Sequence, residues 1–449
     1  MPQERSPEAD DLRTHRENGM SEEQLDAAEM NPTGLRGRLA TLIMSDLIGE
    51  SERDVPLPHA VSASTSPAQL LLSGPISVSV YGASDWARVA AIWTELAHVS
   101  PYSSFYLSAD WIAAWLEVFG KTLSLQILVF EEQSHAVGIC LLTCALERRG
   151  PFRVLRIYLN TGGEPVAERT LMEFNNILCL PGKEEAVAEA LGIYVRGLAW
   201  DEFAIGGVCP GIILDSLQTK AFSGVRPKIN LRSTFFVDLD TLRGSGLAYL
   251  DSLSSNTRCQ IRRSLKTYTK RGTIKTEIAP DLPTAELFFA EMCRMHQSRW
   301  TNRGEEGAFA PGRRLEFHRA LIRQAFAKGS IHLLKVSAGD QTIGILYNFV
   351  QDGRIYFFQS GFNYCGDGRL KPGLATHACA IQYYLDSGFS KYDFLVGDAR
   401  YKRSLAKHSA PLAWTVFPRQ TIKTILIDSL RFLKRRTKRD KQPQFSTWT

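Results

Sequence analysis

The chain has 449 residues, 44% hydrophobic and 22% charged, with a net charge of +6, which describes a soluble protein with core enough for two or three domains. Residues 1–60 hold 13 acids against six Lys/Arg, and residues 431–441 hold seven Lys/Arg against one Asp, leaving a dilute +7 over the rest. That excludes nucleic acid as an expected partner. Eight cysteines are scattered without a CxxC pair, which argues against a metal site or disulfide framework and for buried, reduced thiols.

Residues 1–75 are rich in Glu, Asp, Ser and Pro and read as disordered, apart from one amphipathic helix over 35–48 with Leu39, Leu42, Ile43 and Leu47 aligned. The first residues are acidic and lack the apolar core of a signal peptide. No run approaches the roughly 20 apolar residues of a membrane span, so a cytoplasmic location is expected. From Ile76 the pattern is globular. A strand (76–81), a helix (84–98) and a second helix carrying Trp111 and Trp115 are predicted; the two tryptophans, four apart, read as core. Strands follow at 123–130, 136–145, 152–159 and 176–180. A helix opens after Pro181-Gly182, and a strand covers 201–205.

Pro210, Gly211, Gly224 and Pro227 mark 207–235 as a linker region. The same order then returns. Helices are predicted over 246–271, 284–300 and 313–328, and strands over 331–337, 341–350 and 354–360, with Gly339-Asp340 and Asp352-Gly353 as turns. After Gly361 comes a loop rich in Gly, Asn and Asp, with Arg369 and Lys371 near its end. Pro372 suits a first helical turn, and Gly373 leaves the backbone N–H groups there uncovered. A helix covers 373–387, with Leu374, Ala378, Ile381 and Leu385 on one face, and a strand covers 392–396. A basic, glycine-bearing loop feeding a bare helix end is an anion site. Taken alone, it is equally an ordinary βαβ loop.

Gly-Arg-Leu-Lys-Pro-Gly-Leu-Ala-Thr-His (368–377), Gly388 and Tyr-Asp-Phe-Leu-Val-Gly-Asp-Ala-Arg-Tyr-Lys (392–402) resemble the end of the CelD-type acetyltransferases. These belong to the GNAT superfamily, are named for a cellulose-biosynthesis protein, and are related to the Fem-type peptidyltransferases. Upstream, the likeness runs through Asn256 to Arg263, His296-Gln-Ser-Arg-Trp300, Phe105 to Trp115 and Trp200 to Phe203. The regular GNAT phosphate signature is absent; Gly366-Asp-Gly368 sits off its register. The resemblance implies an α+β fold of tandem GNAT-like (acyl-CoA N-acyltransferase) halves, each a mixed, mostly antiparallel sheet flanked by helices. The expected divisions are 1–75, 76–225, 226–420 (with the donor site) and 421–449. Acetyl-CoA or another acyl-CoA is the implied co-substrate, with no metal, and a small-molecule or saccharide acceptor lies between the halves.

Acyl transfer needs a held thioester, a donor to its carbonyl, and one proton in and one out. Arg369, Lys371, Pro372, Gly373, Leu374 and Lys402 are the expected donor-binding residues. Tyr401 and Asp398 lie past a strand's end. The resemblance puts Tyr401 where many GNAT enzymes keep the acid for the leaving thiolate; without it, 398–402 is a turn stabilised by Asp. Asp398 is a base or an orienting group. His296 is a candidate base, against the plainer reading of a hydrogen-bonded structural histidine. Arg262, Arg299, Trp300 and Asp393 are candidate acceptor-binding residues. Arg258, Arg262 and Lys266 form a stripe that also reads as a solvated helix face, and Asp393, mid-strand, needs a partner. Ile422, Ile425, Leu426, Leu430 and Leu433 form an apolar stripe followed by the basic tail. The stripe is expected to dock on the second half, with peripheral contact to an anionic membrane as the alternative. Two rival functions stay open: Fem-like aminoacyl transfer from charged tRNA, and a catalytically silent scaffold of an exopolysaccharide system.

Overall fold

The computed structural model describes residues 68–71, 75–149, 151–302, 304, 307–427 and 429. The expected 35–48 helix and the basic tail lie outside them, as does nearly all of the expected disordered segment. The first half runs β1 (Ala68–Leu71), β2 (Ile76–Tyr81), α1 (Trp86–Val99), α2 (Ala109–Phe119), β3 (Ser124–Glu132), β4 (His135–Arg149), β5 (Phe152–Leu159), β6 (Leu178–Cys179), α3 (Glu184–Gly197) and β7 (Glu202–Val208). The second half opens with β8 (Lys228–Asp238), α4 (Ser255–Thr269), β9 (Ile274–Ile278), α5 (Leu282–Thr301) and α6 (Arg313–Ala325). It continues with β10 (Ile331–Ala338), β11 (Gln341–Gln351), β12 (Arg354–Phe362), α7 (Pro372–Asp386), β13 (Lys391–Val396), α8 (Arg400–Leu405) and β14 (His408–Pro418). Helical turns of three to six residues interrupt the connections.

All the strands form one sheet in the order β1-β2-β3-β4-β5-β7-β14-β8-β13-β12-β11-β10-β9, with β6 on β4. Only β5–β7 and β12–β13 are parallel, and a parallel pair needs a crossover; α3 and α7 supply them. β14 leaves the second half and lies between β7 and β8, so each half contributes a strand next to the other.

Packing follows the apolar pattern. The Ser108 hydroxyl caps α2 by accepting from the Trp111 N–H at 3.2 Å. Trp111 and Trp115 are fully buried, as expected. Trp111 meets Phe317 of α6 at 4.8 Å, and Phe105 stacks on Phe349 at 4.4 Å, so one face of the sheet carries a core shared by both halves. On the other face α3 and α7 each cover a separate cluster.

The structure corrects several expectations. The stretch read as linker contains β8, mid-sheet. Its glycines and prolines end at Pro227, and the alternation Ile229, Leu231, Phe235, Val237 behind them is the strand signal. β14 has no counterpart among the predicted strands, and it carries Pro411. That residue pairs with Ser233 of β8 but precedes the β7 ladder, which begins at Ala413, so its missing N–H breaks no bond. The expected 246–271 helix starts only at Ser255, because the Ser254 hydroxyl accepts from the Thr257 N–H and sets the cap there. Three cysteines are buried, but Cys209, Cys259 and Cys365 are exposed. The helical stretch 422–427 sits on the first half, where Lys423 Nζ pairs with Asp201 at 2.5 Å and donates to the Arg153 carbonyl. Ile422 and Ile425 are 79% and 58% exposed, so this part of the stripe does not dock on the second half.

Candidate active site

β12 and β13 pair over only three residues, from Arg354↔Lys391 to Tyr356↔Asp393. Beyond that point no ladder pair joins them among the described residues, and the strands open into a cleft. α7 begins at its mouth. Its first turn has no side-chain cap, Pro372 occupies the first position, and the Gly373 and Leu374 N–H groups are among those that a first turn leaves without intrahelical partners. A Cβ at Gly373 would stand 3.3 Å from the Phe362 ring, so glycine keeps this approach open. Ser264 of α4 fixes the loop end by accepting from the Lys371 N–H at 3.0 Å. Arg369 is exposed and bound to Asp367.

Tyr401 sits in the first turn of α8, not in a plain turn. Its ring stacks on His377 of α7 at 5.7 Å and meets Phe394 at 6.1 Å. Burial pushes its phenol above the ordinary value, so the hydroxyl stays protonated at neutral pH. From the other side, the Arg299 guanidinium lies 4.0 Å over Tyr364 of the loop. Phe362, Tyr364 and His377 thus link the start of α7 at Gly373, Tyr401 of α8 and Arg299 of α5.

Other candidates lie elsewhere. His296 donates Nδ1–H to the Ser360 carbonyl at 3.1 Å, and its Nε2 accepts from the Ala308 N–H at 3.2 Å. Both ring nitrogens are engaged in this structure and burial lowers the pKa, the arrangement of a hydrogen-bonded histidine rather than of a base with a free lone pair. Trp300 is half-buried beside it, ring centroids 5.9 Å apart. Asp398 is exposed and paired with Arg403 at 2.5 Å. Arg262 is exposed and paired with Asp251 at 2.8 Å. Lys402 turns inward, away from the loop, and donates to the carbonyls of Leu395 at 3.1 Å and Val396 at 2.7 Å.

The inward lysine belongs to a group that sequence reasoning missed. β13 carries an extra residue between its pairings Asp393↔Phe236 and Val396↔Thr234. Leu395 there has φ 62°, a left-handed backbone unusual for a side-chain-bearing residue. The bulge is capped on every side. Asp393 accepts from the Leu395 N–H at 2.9 Å, Glu173 of the first half accepts from the Val396 N–H at 2.8 Å, and Lys402 takes both carbonyls. Burial raises the Glu173 and Asp393 carboxyls, the latter to about 6, and lowers the Lys402 ammonium; the opposite charges pull each back. No motif marks Glu173, which lies more than 200 residues from its partner.

The first half repeats the cleft. β5 and β7 pair over three residues, Arg156↔Glu202 to Tyr158↔Ala204, and β7 carries the matching bulge against β14, with Gly207 at φ 70°. Here, however, the chain itself fills the gap. Asn175 donates its N–H to the Gly207 carbonyl and its side-chain amide to the Leu159 carbonyl, each at 3.0 Å, while Asn160 donates to Asn175 at 2.6 Å.

Residues 255–403 match the acetyltransferase (GNAT) domain family. The second half thus carries a GNAT acetyltransferase domain, and the protein is an acyltransferase with an α+β, GNAT-like fold. Among solved structures the chain is similar to FemX, at 10% identity and a TM-score of 0.49 over 73% of this chain and 95% of that one. It is also similar to a tandem GNAT protein from the clavulanic acid biosynthesis pathway, at 10% identity and a TM-score of 0.40 over 76% and 98%. No curated protein matches the chain.

Proposed function

We propose that the protein transfers an acyl group, most simply acetyl, from acyl-CoA to an amine or hydroxyl, using the opening between β12 and β13. The observation that carries this reading is the uncapped start of α7 at the mouth of that opening. The Gly373 and Leu374 N–H groups would hold the diphosphate, with Lys371 beside it, and the acyl arm would run between the strands. The acceptor nitrogen or oxygen attacks the thioester carbonyl and releases its proton to solvent, the C–S bond breaks, and the Tyr401 hydroxyl donates its proton to the departing sulfur and is reprotonated from solvent. The proposed layout keeps the donor in residues 226–420, the acceptor between the halves, and 76–225 as the supporting half. The CelD resemblance favours a sugar or polysaccharide precursor as acceptor in a cytoplasmic enzyme. The exposed Ile422 and Ile425, with seven Lys/Arg at 431–441, support peripheral contact with an anionic membrane.

The test is titration with acetyl-CoA and longer acyl-CoAs, wild type against Gly373→Asp. A carboxylate placed at the diphosphate position should lower affinity by about 2 kcal/mol, since charge-assisted contacts are worth about 1.5–3 kcal/mol. Equal binding by both proteins removes α7 from the donor site.

A further inference from the structure

We propose that Glu173 and Lys402 are positioning residues: through Glu173, the first half fixes the Leu395–Val396 bulge that forms one wall of the second-half opening and leads into the Tyr401 helix. The inference rests on the acyl-CoA reading of that opening.

The argument begins with the backbone. A left-handed leucine is costly unless its surroundings over-determine it. At Leu395 three side chains do so, taking two N–H groups and two carbonyls. Asp393 is local to β13, whereas Lys402 belongs to α8 and Glu173 to the segment that fills the first cleft. The clamp therefore ties together the two clefts and the helix that carries Tyr401. Around Glu173 the facing groups are Lys402, Asp393 and Arg232 of β8, with Tyr106 of the first half also coupled to it. Without the Glu173 charge, Lys402 is left as a buried cation facing Asp393 alone. It then sheds its proton or turns outward, and the Leu395 and Val396 carbonyls lose a charged donor. The clamp thus works as a pair, and its intact form requires an ionised Glu173. Only six residues separate Val396 from Lys402, so loss of the pair shifts α8 and Tyr401 directly.

The experiment is a double-mutant cycle of Glu173→Gln, Lys402→Met and both together. Tm, acyl-CoA affinity and single-turnover kcat are read from pH 5.5 to 9 (about one unit either side of neutrality and beyond). Wild-type kcat should rise with pH through the ionisation of Glu173. E173Q, which keeps an acceptor for the Val396 N–H, should fold and show a flat profile about tenfold below the wild-type maximum. K402M should show the same loss, and the double variant should be no worse than either alone. Wild-type activity in K402M, or additive losses in the double variant, overturns the clamp while acyl-CoA binding still stands. A wild-type protein that binds no acyl-CoA overturns the clamp's role together with the reading it rests on.

Discussion

The two clefts are built alike and filled differently. Both sit between parallel strands joined over three residues, and both have a bulge with a left-handed residue on one wall. In the first, the residue is Gly207, and the 172–176 segment fills the gap; a Cβ there would stand 2.7 Å from the Met172 carbonyl. In the second, the residue is Leu395, the gap is open, and side chains rather than backbone hold the bulge. The same filling segment then reaches across, through Glu173, to support the open copy.

The comparison can be broken at several points. The largest effect is expected at the open cleft. Tyr401→Phe keeps the ring stack on His377 and removes the hydroxyl, so kcat should fall about 10²-fold with donor affinity unchanged, as general-acid contributions run. Wild-type turnover would reduce Tyr401 to packing. Next comes Gly207→Ala in the closed cleft. Alanine meets both a left-handed backbone and the Met172 carbonyl, so unfolding should cost about 2 kcal/mol less or lower still; an unchanged denaturant midpoint means the segment can move aside. Leu395→Gly should cost only about 1 kcal/mol, because relief of the left-handed backbone offsets most of the lost apolar burial. If it costs more than Gly207→Ala, the two bulges are not equivalent.

A smaller effect concerns pH. The Asp393 carboxyl is raised to about 6, so its ionisation is harder in the folded chain than in the unfolded one. The stability it contributes is full below the ordinary carboxylate range near pH 4 and is lost as pH rises through about 6. Asp393→Asn, which keeps an acceptor for the Leu395 N–H, should flatten thermal stability across that window. An identical pH dependence would assign the titration to Glu173. The smallest effect is expected far from both clefts: removing residues 431–449 should weaken binding to anionic vesicles as added salt does.

The sequence made the open cleft legible because its signals are local. Pro372-Gly373, the glycine-rich loop and the strand at 392–396 lie within one βαβ unit, and each residue type has its own mechanical reason there. His296 was legible as a buried, face-sharing residue, but its engagement at both nitrogens depends on Ser360 and Ala308, which no helical period reveals. Lys402 read as a phosphate ligand because a lysine after a strand end is usually solvated; only the Leu395 bulge shows why it turns inward. β14 carries Pro411, whose tolerance depends on where the β7 ladder starts, a register that no local pattern shows. Glu173 left no trace because its partner lies in the other half, and charge at that separation has no sequence pattern.

The position of β14 also sets an order of events during synthesis. The strand lies between β7 and β8, yet it follows every other described strand in the chain. Until residue 418 has left the ribosome, β7 and the facing edge of β8 are both unpaired edges. At about 5–20 residues per second, the roughly 200 residues that separate β7 from β14 take some 10–40 s to appear. The nascent first half must wait that long with an open strand edge, so chaperone occupancy should concentrate on β7 and end when the His408–Pro418 strand inserts.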